Sequence, residues 1–308
     1  MKIVRGKSGY TLIEMLITVA LLGILMVGLS STFRSQVFTF HVQEATTDMQ
    51  MSGSLSIMKL AQEARLAGFG IPKNPGDGTT TSIVAYVNND NTAGSTDSLT
   101  IRYTSGAYGY YSGTPPVSPN KTLALTGTGL AVGNSVKVLS LRREDLFPAD
   151  TVTVTGVVDN NVTLSKGLYE SSILPDLGVF VGTGMADVRY DIVNAGTDNV
   201  ALRRTVTPVG GAAQPPEIVA FGVEDLQVAY GIDQNMDMYV DTYVNTPTAA
   251  QLAQVVTLRI SLIMRSGKQD ERASAAGLQA EDGMTRGGDQ RNRRLFSTTI
   301  RLRNARVI

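Results

Sequence analysis

The chain has 308 residues, with 27 basic and 27 acidic side chains, one histidine and no cysteine. That balance excludes a generalised polyanion binder, and the absence of cysteine rules out stabilisation by disulfides. The length suffices for one large β-rich domain or two smaller ones, with ample chain to bury a core.

Residues 1–9 form a short leader carrying Lys2, Arg5 and Lys7 and no acid, a charge pattern that holds the N-terminal side in the cytoplasm. Leu12 to Leu29 follows as an 18-residue apolar run whose only charge is Glu14. As a helix it would be ~27 Å long, close to the hydrocarbon thickness of a bilayer. A cleaved secretory signal fits poorly, because Ser30-Ser31-Thr32-Phe33-Arg34 offers no small-residue cleavage site and continues into more helix. The run therefore reads as a retained anchor with the bulk of the chain outside the cytoplasm. An ionised carboxylate near the end of such a span is costly unless something pairs with it, so Glu14 is a functional candidate.

From Tyr10 to about Ala67 there is no proline and glycine is sparse, which predicts one long helix, ~85 Å if continuous. Its second half is amphipathic, with Val37, Phe40, Met49, Leu55, Met58 and Ala61 as the expected apolar face. Arg65-Leu66-Ala67-Gly68-Phe69-Gly70-Ile71-Pro72 stops the helix: a basic last turn, glycines, then proline.

Beyond Pro72 the pattern has period two. Residues 98–103, 135–141, 151–155 and 187–192 alternate apolar and polar residues and predict antiparallel strands with one wet face. Asp159-Asn160-Asn161 predicts a tight turn returning to Val162-Thr163-Leu164. Val256 to Met264 and Phe296 to Leu302 predict the last strand pair. Between them, residues 267–294 are polar, glycine-rich and charged with both signs, the composition of a long hairpin loop.

Catalysis has little to work with. The sole histidine, His41, falls on the predicted stalk, which leaves no Ser-His or Cys-His nucleophile system and no histidine-ligated zinc in the head. Asp233, Asn235, Asp237 and Asp241 place oxygens at relative positions one, three, five and nine, a spacing that can wrap a hard cation such as calcium. Met238 and Val244 stand where a glycine and a bidentate glutamate would complete that loop, so a hairpin turn that favours Asp and Asn is the competing reading. Arg291, Arg293, Arg294, Arg301, Arg303 and Arg306 make the C-terminus basic. Arg301 and Arg303 alternate with Ile300 and Leu302 and read as the wet face of a strand rather than a nucleic-acid surface.

Lys7-Ser8-Gly9-Tyr10-Thr11-Leu12-Ile13-Glu14-Met15-Leu16 resembles the class III signal of type IV pilins and type II secretion pseudopilins. The resemblance implies that a prepilin peptidase cuts between Gly9 and Tyr10 and methylates the new Tyr10 amine. It also implies that Glu14 is the assembly carboxylate, pairing with the Tyr10 ammonium of a neighbouring subunit. Tyr10 departs from the commoner phenylalanine. Loss of the three leader cations would leave 24 basic and 27 acidic residues, a formal charge of −3. Arg65-Leu66-Ala67-Gly68-Phe69, then Leu202-Arg203-Arg204, the stretch Phe221 to Asp233 and a terminal Leu302-Arg303-Asn304 are similar in order to the PilW family of minor pilins.

The resulting expectation is an α+β, pilin-like fold: leader 1–9, an N-terminal helix over 10–70 with its membrane anchor at about 12–29, and a mainly antiparallel β head over 71–308. The resemblance implies a non-enzymatic minor pilin at or near the tip of a type IV pilus, held in the inner membrane before assembly. Its implied partners are the prepilin peptidase, other minor pilins and the major pilin, a tip-associated adhesin, and the inner-membrane assembly platform with its cytoplasmic ATPase. The alternatives are a J-like pseudopilin of a type II secretion system and, in another class, a signal-anchored periplasmic binding domain.

Overall fold

The computed structural model describes residues 10–69, 84–88, 95–104, 108–111, 120–124, 130–140, 152–168, 179–182, 185–208, 211–235, 237–269, 277–279 and 285–303. The leader with Gly9, the segment Gly70 to Pro72 and Arg306 lie outside them. The fold is α+β: one long N-terminal helix followed by antiparallel sheets. It divides into two compact units, residues 1–48 and 49–308.

Helix α1 spans Leu12–Leu66. It ends where Gly68 turns to φ +76°, a left-handed conformation that glycine adopts without strain. The Gly68 amide then leaves the helix and donates to the Arg102 carbonyl at 2.9 Å, which ties the helix exit to the first sheet.

The strands, in chain order, begin with β1 (Val84–Asn88), β2 (Ser98–Thr104), β3 (Tyr108–Tyr111), β4 (Asn120–Ala124) and β5 (Ser135–Ser140). They continue with β6 (Val152–Val158), β7 (Asn161–Leu168), β8 (Val179–Gly182), β9 (Met185–Val193), β10 (Ala201–Pro208) and β11 (Glu217–Phe221). Then come β12 (Val223–Ile232), β13 (Thr242–Val244), the short helix α2 (Ala249–Leu252), β14 (Val255–Gln269), β15 (Leu278–Gln279), β16 (Thr285–Arg286) and β17 (Arg291–Arg301).

One sheet has the order β1-β2-β9-β10-β11, a second β13-β12-β14-β17, and a third β3-β8-β5-β6-β7-β4. The strands over residues 98–104 and 185–193 fall where the period-two pattern places them, and those over 255–269 and 291–301 contain the expected last pair but run further into the stretch between them. Asp159 at φ +53° and Asn160 make the tight β6–β7 turn, across which Val158 pairs with Asn161.

The core lies between the helix residues from Met49 onward and the first two sheets. Leu60 and Ala64 meet Leu99, Ile101, Val188 and Tyr190 of the first sheet, and Leu226, Val228, Leu258, Ile260 and Leu262 of the second, in one cluster. Each large aliphatic side chain buried there contributes about 1.5–3 kcal/mol.

The buried face of α1 differs from the expected one. Met49, Gly53, Ser56, Leu60, Ala61 and Ala64 are buried, whereas Leu55 is 55% and Met58 56% exposed. At one point of that face a small residue is required: a Cβ on Gly53 would lie 2.4 Å from the Phe296 ring, which packs over the glycine.

The stretch 267–294 also differs from a plain loop. β14 extends through Gln269, β17 begins at Arg291, and β15 pairs with β16 between them. Charge pairing supplies the order that polar composition conceals. Arg286 of β16 bonds Asp225 at 3.0 Å, and Asp225 is fully buried.

Candidate assembly site

Glu14 sits in the first turn of α1 beside Thr11. The Thr11 amide donates to Glu14 Oε2 at 2.9 Å, the Thr11 hydroxyl donates to the same oxygen at 3.0 Å, and the Glu14 amide donates to Thr11 Oγ1 at 3.4 Å. This reciprocal pair is a capping box that satisfies amide groups the helix cannot satisfy itself. Tyr10, 85% exposed, stands just before it. Tyr10 and Glu14 are thus both held at the open end of the helix.

The run that follows presents its apolar side chains outward all round, and the helix is long and apolar enough to cross a membrane. The hydroxyl within that run is internally satisfied, Thr18 donating to the Met15 carbonyl at 2.8 Å, and just beyond it Thr32 donates to the Gly28 carbonyl at 3.0 Å.

In the head unit, the helix is bolted to the first sheet by charge. Tyr190 donates its hydroxyl to Glu63 at 2.7 Å, and Arg204 reaches the other oxygen of Glu63 at 2.8 Å. Lys59 pairs with Glu217 at 2.7 Å, and Arg204 also approaches Glu217 at 3.6 Å. Burial, reinforced by the Glu63 charge, pushes the Tyr190 phenol far up, so it stays a donor. Burial works against the Arg204 charge, but the hydrogen bond and charge of Glu63 outweigh it and raise its pKa.

On the opposite face, Met51, Leu55 and Met58 are 65%, 55% and 56% exposed and recur at helical spacing. Three bulky apolar side chains thus stand in water on one stripe of the helix.

The four oxygen-bearing residues of 233–241 do come together, with the carboxylates turned to backbone amides. Asp233, fully buried, accepts from the amides of Asp237 and Met238, and Asp241 accepts from those of Gln234 and Asn235. Asn235 accepts from the Asp237 amide and Asp237 from the Tyr239 amide. Met238 takes the positive φ, +71°, where a cation loop of this spacing carries glycine. Among the described residues no group of three or more His, Cys, Asp or Glu is placed to hold a metal ion.

Among the described C-terminal arginines, Arg291, Arg293 and Arg301 have carboxylate or carbonyl partners. Arg293 grips Glu224 through two nitrogens at 2.6 and 3.0 Å, and Arg291 pairs with Asp198 at 2.7 Å. Asp289 gathers Arg265, Arg291 and Arg293. Sequence reasoning missed these networks and the Glu63 bolt. The available signal was a charged residue inside an otherwise apolar strand, as at Arg204 and Asp225.

Residues 189–304 match the family model described as PilW, Type IV Pilus-assembly protein W. Residues 4–30 match the model described as Prokaryotic N-terminal methylation motif. Among solved structures, the "Type IV-like pilin TTHA1219 from Thermus thermophilus" is similar at 13% identity with a TM-score of 0.43, covering 83% of this chain and 98% of that one. No curated protein matches the chain.

Proposed function

For a chain that is type IV pilin-like and PilW-like over its C-terminal strands, we propose the role of a minor pilin that inserts at or near the tip of a type IV pilus and helps prime its assembly. The observation that carries this reading is a methylation motif set on a helix that exposes its apolar side chains throughout Leu12–Leu29. Such a helix needs lipid before assembly and other helices after it.

In this reading the peptidase removes residues 1–9 and methylates Tyr10, the head waits in the periplasm, and the helix is then drawn into the filament. Glu14, held by Thr11 in the single subunit, meets the Tyr10 ammonium of a neighbour as it leaves the membrane. Inside an apolar filament core either charge alone is unfavourable, so the pair selects subunits that dock in register. Other minor pilins, the major pilin, the adhesin and the assembly platform are the partners, and the subunit works without catalysis. The 233–241 loop serves as a capped turn, with calcium as the cation its spacing would accept.

The test is Glu14→Ala as the sole copy. The expected result is normal membrane insertion and normal removal of residues 1–9, with loss of the protein from pili. Full incorporation of the variant into pili overturns the role of Glu14. Lost protein secretion with intact piliation in a deletion strain would move the subunit to a type II secretion system.

A further inference from the structure

The chain carries two Asn-x-Thr triplets, Asn120-Lys121-Thr122 and Asn161-Val162-Thr163, and both fall within residues 108–182. That stretch is inserted into a hairpin: β2 pairs with β9, and β3 with β8 continues the pairing beyond them. Val152, Val154, Val162 and Leu164 are buried inside it and lie outside the cluster that packs on α1. A change on its surface leaves the contacts between helix and sheet alone.

The second triplet stands at the end of a hairpin. Asn161 is exposed as the first residue of β7, directly after the turn in which Asp159 takes φ +53°. Strand alternation puts Asn161 and Thr163 on one face and sends Val162, fully buried, to the other. On the outer face Thr163 is paired with Gly156, and its hydroxyl lies 3.3 Å from that of the exposed Thr122. Both neighbours are small. Val158, paired with Asn161 across the turn, is 69% exposed.

We propose that Asn161 is an N-glycosylation site whose acceptor triplet is completed by Thr163. The inference rests on the reading that the head reaches the periplasm. An oligosaccharyltransferase accepts Asn-x-Thr, and the bulky, hydrated product has to stand on the surface. The donor is an oligosaccharide carried on a polyprenyl pyrophosphate. Asn161 Nδ2 attacks the anomeric carbon, a C–N bond forms as the C–O bond to phosphate breaks, the amide proton passes to a base of the transferase, and the lipid pyrophosphate leaves with the electron pair. A hairpin end opens locally at little cost, so the tip can enter a transferase without exposing Val162 and Leu164. Once attached, the first sugar stands beside Val158 and covers part of an apolar side chain that otherwise faces water.

The experiment recovers the full chain from the membranes of the cells that make it and reads the tryptic peptide from Glu144 to Lys166 by mass. A ladder of sugar masses on Asn161 is expected in the wild type. It should vanish in Asn161→Gln and in Thr163→Ala, and persist in Thr163→Ser, which keeps the hydroxyl. The melting temperature of Asn161→Gln should equal that of enzymatically deglycosylated wild type, which separates a lost acceptor from a lost fold. A sugar that persists in Thr163→Ala, or a bare wild-type peptide from a head that protease reaches in spheroplasts, overturns the proposal. A head that protease does not reach in spheroplasts overturns the reading of its compartment, a result separate from the sugar map.

Discussion

Glu63 on α1 and Arg204 on β10 meet at 2.8 Å across 141 residues of sequence, with Tyr190 on β9 completing the contact. The pair is mostly buried, its side chains 14% and 19% exposed, and it fixes the rotation of the last helical turns against the first sheet. Which face of α1 points into the head, and which is left outward, follows in part from this one contact.

Glu63→Ala leaves the buried Tyr190 phenol without its acceptor and the mostly buried Arg204 guanidinium with only the 3.6 Å approach of Glu217, and should cost about 3 kcal/mol. Lys59→Ala removes a pair whose side chains are 35% and 53% exposed, and should cost below about 0.5 kcal/mol. Thermal unfolding followed by circular dichroism ranks the two. Equal effects would mean that Glu63 acts only as a surface charge.

Gly53→Ala should destabilise despite the better helix propensity of alanine, worth about 1 kcal/mol in its favour. The new Cβ meets the Phe296 ring at 2.4 Å, and overpacking of this kind costs about 1–3 kcal/mol. Pairing Gly53→Ala with Phe296→Leu should recover more than the two single effects predict when added, a coupling read from a double-mutant cycle.

Burial alone would raise the Asp289 carboxyl, but the Arg293 hydrogen bond and charge, helped by Arg265, hold it below its ordinary value of 3.8. A depressed carboxylate contributes stability that is complete above the unfolded value and is lost as pH falls through the folded one. Melting temperature should therefore decline as the pH falls through and below the ordinary Asp value of 3.8, and Asp289→Asn should be less stable near neutrality with a shallower decline. An unchanged slope in the variant would remove Asp289 from the acid response.

Asp233→Ala strips the acceptor from the amides of Asp237 and Met238, and should cost about 1.5–3 kcal/mol. Calcium titration of the wild type separates capping from cation binding. Capping alone leaves the melting temperature flat at millimolar calcium, whereas a rise that disappears in Asp241→Asn assigns the loop to the cation.

Local chemistry was legible in the chain because it acts over a few residues. The apolar span, Gly68 after a basic last turn, and the alternating residues of β2, β9, β14 and β17 each carry their conformation in their own neighbourhood. The segment 267–294 was less legible, since its order comes from pairings such as Arg286 with Asp225, 61 residues apart.

The sequence by itself therefore determined the anchor, the motif at its head and the strand periodicity, since these depend on hydrophobic spacing and short-range hydrogen bonds. Only the tertiary structure decided which helix face is covered. Leu55 and Met58 look like core residues by hydropathy, yet the covered face is that of Met49, Gly53, Ser56, Leu60 and Ala64, where the Phe296 ring fits over Gly53 and the Glu63–Arg204 pair fixes the last turns. The bulky apolar residues Leu55 and Met58 are left outward, in water.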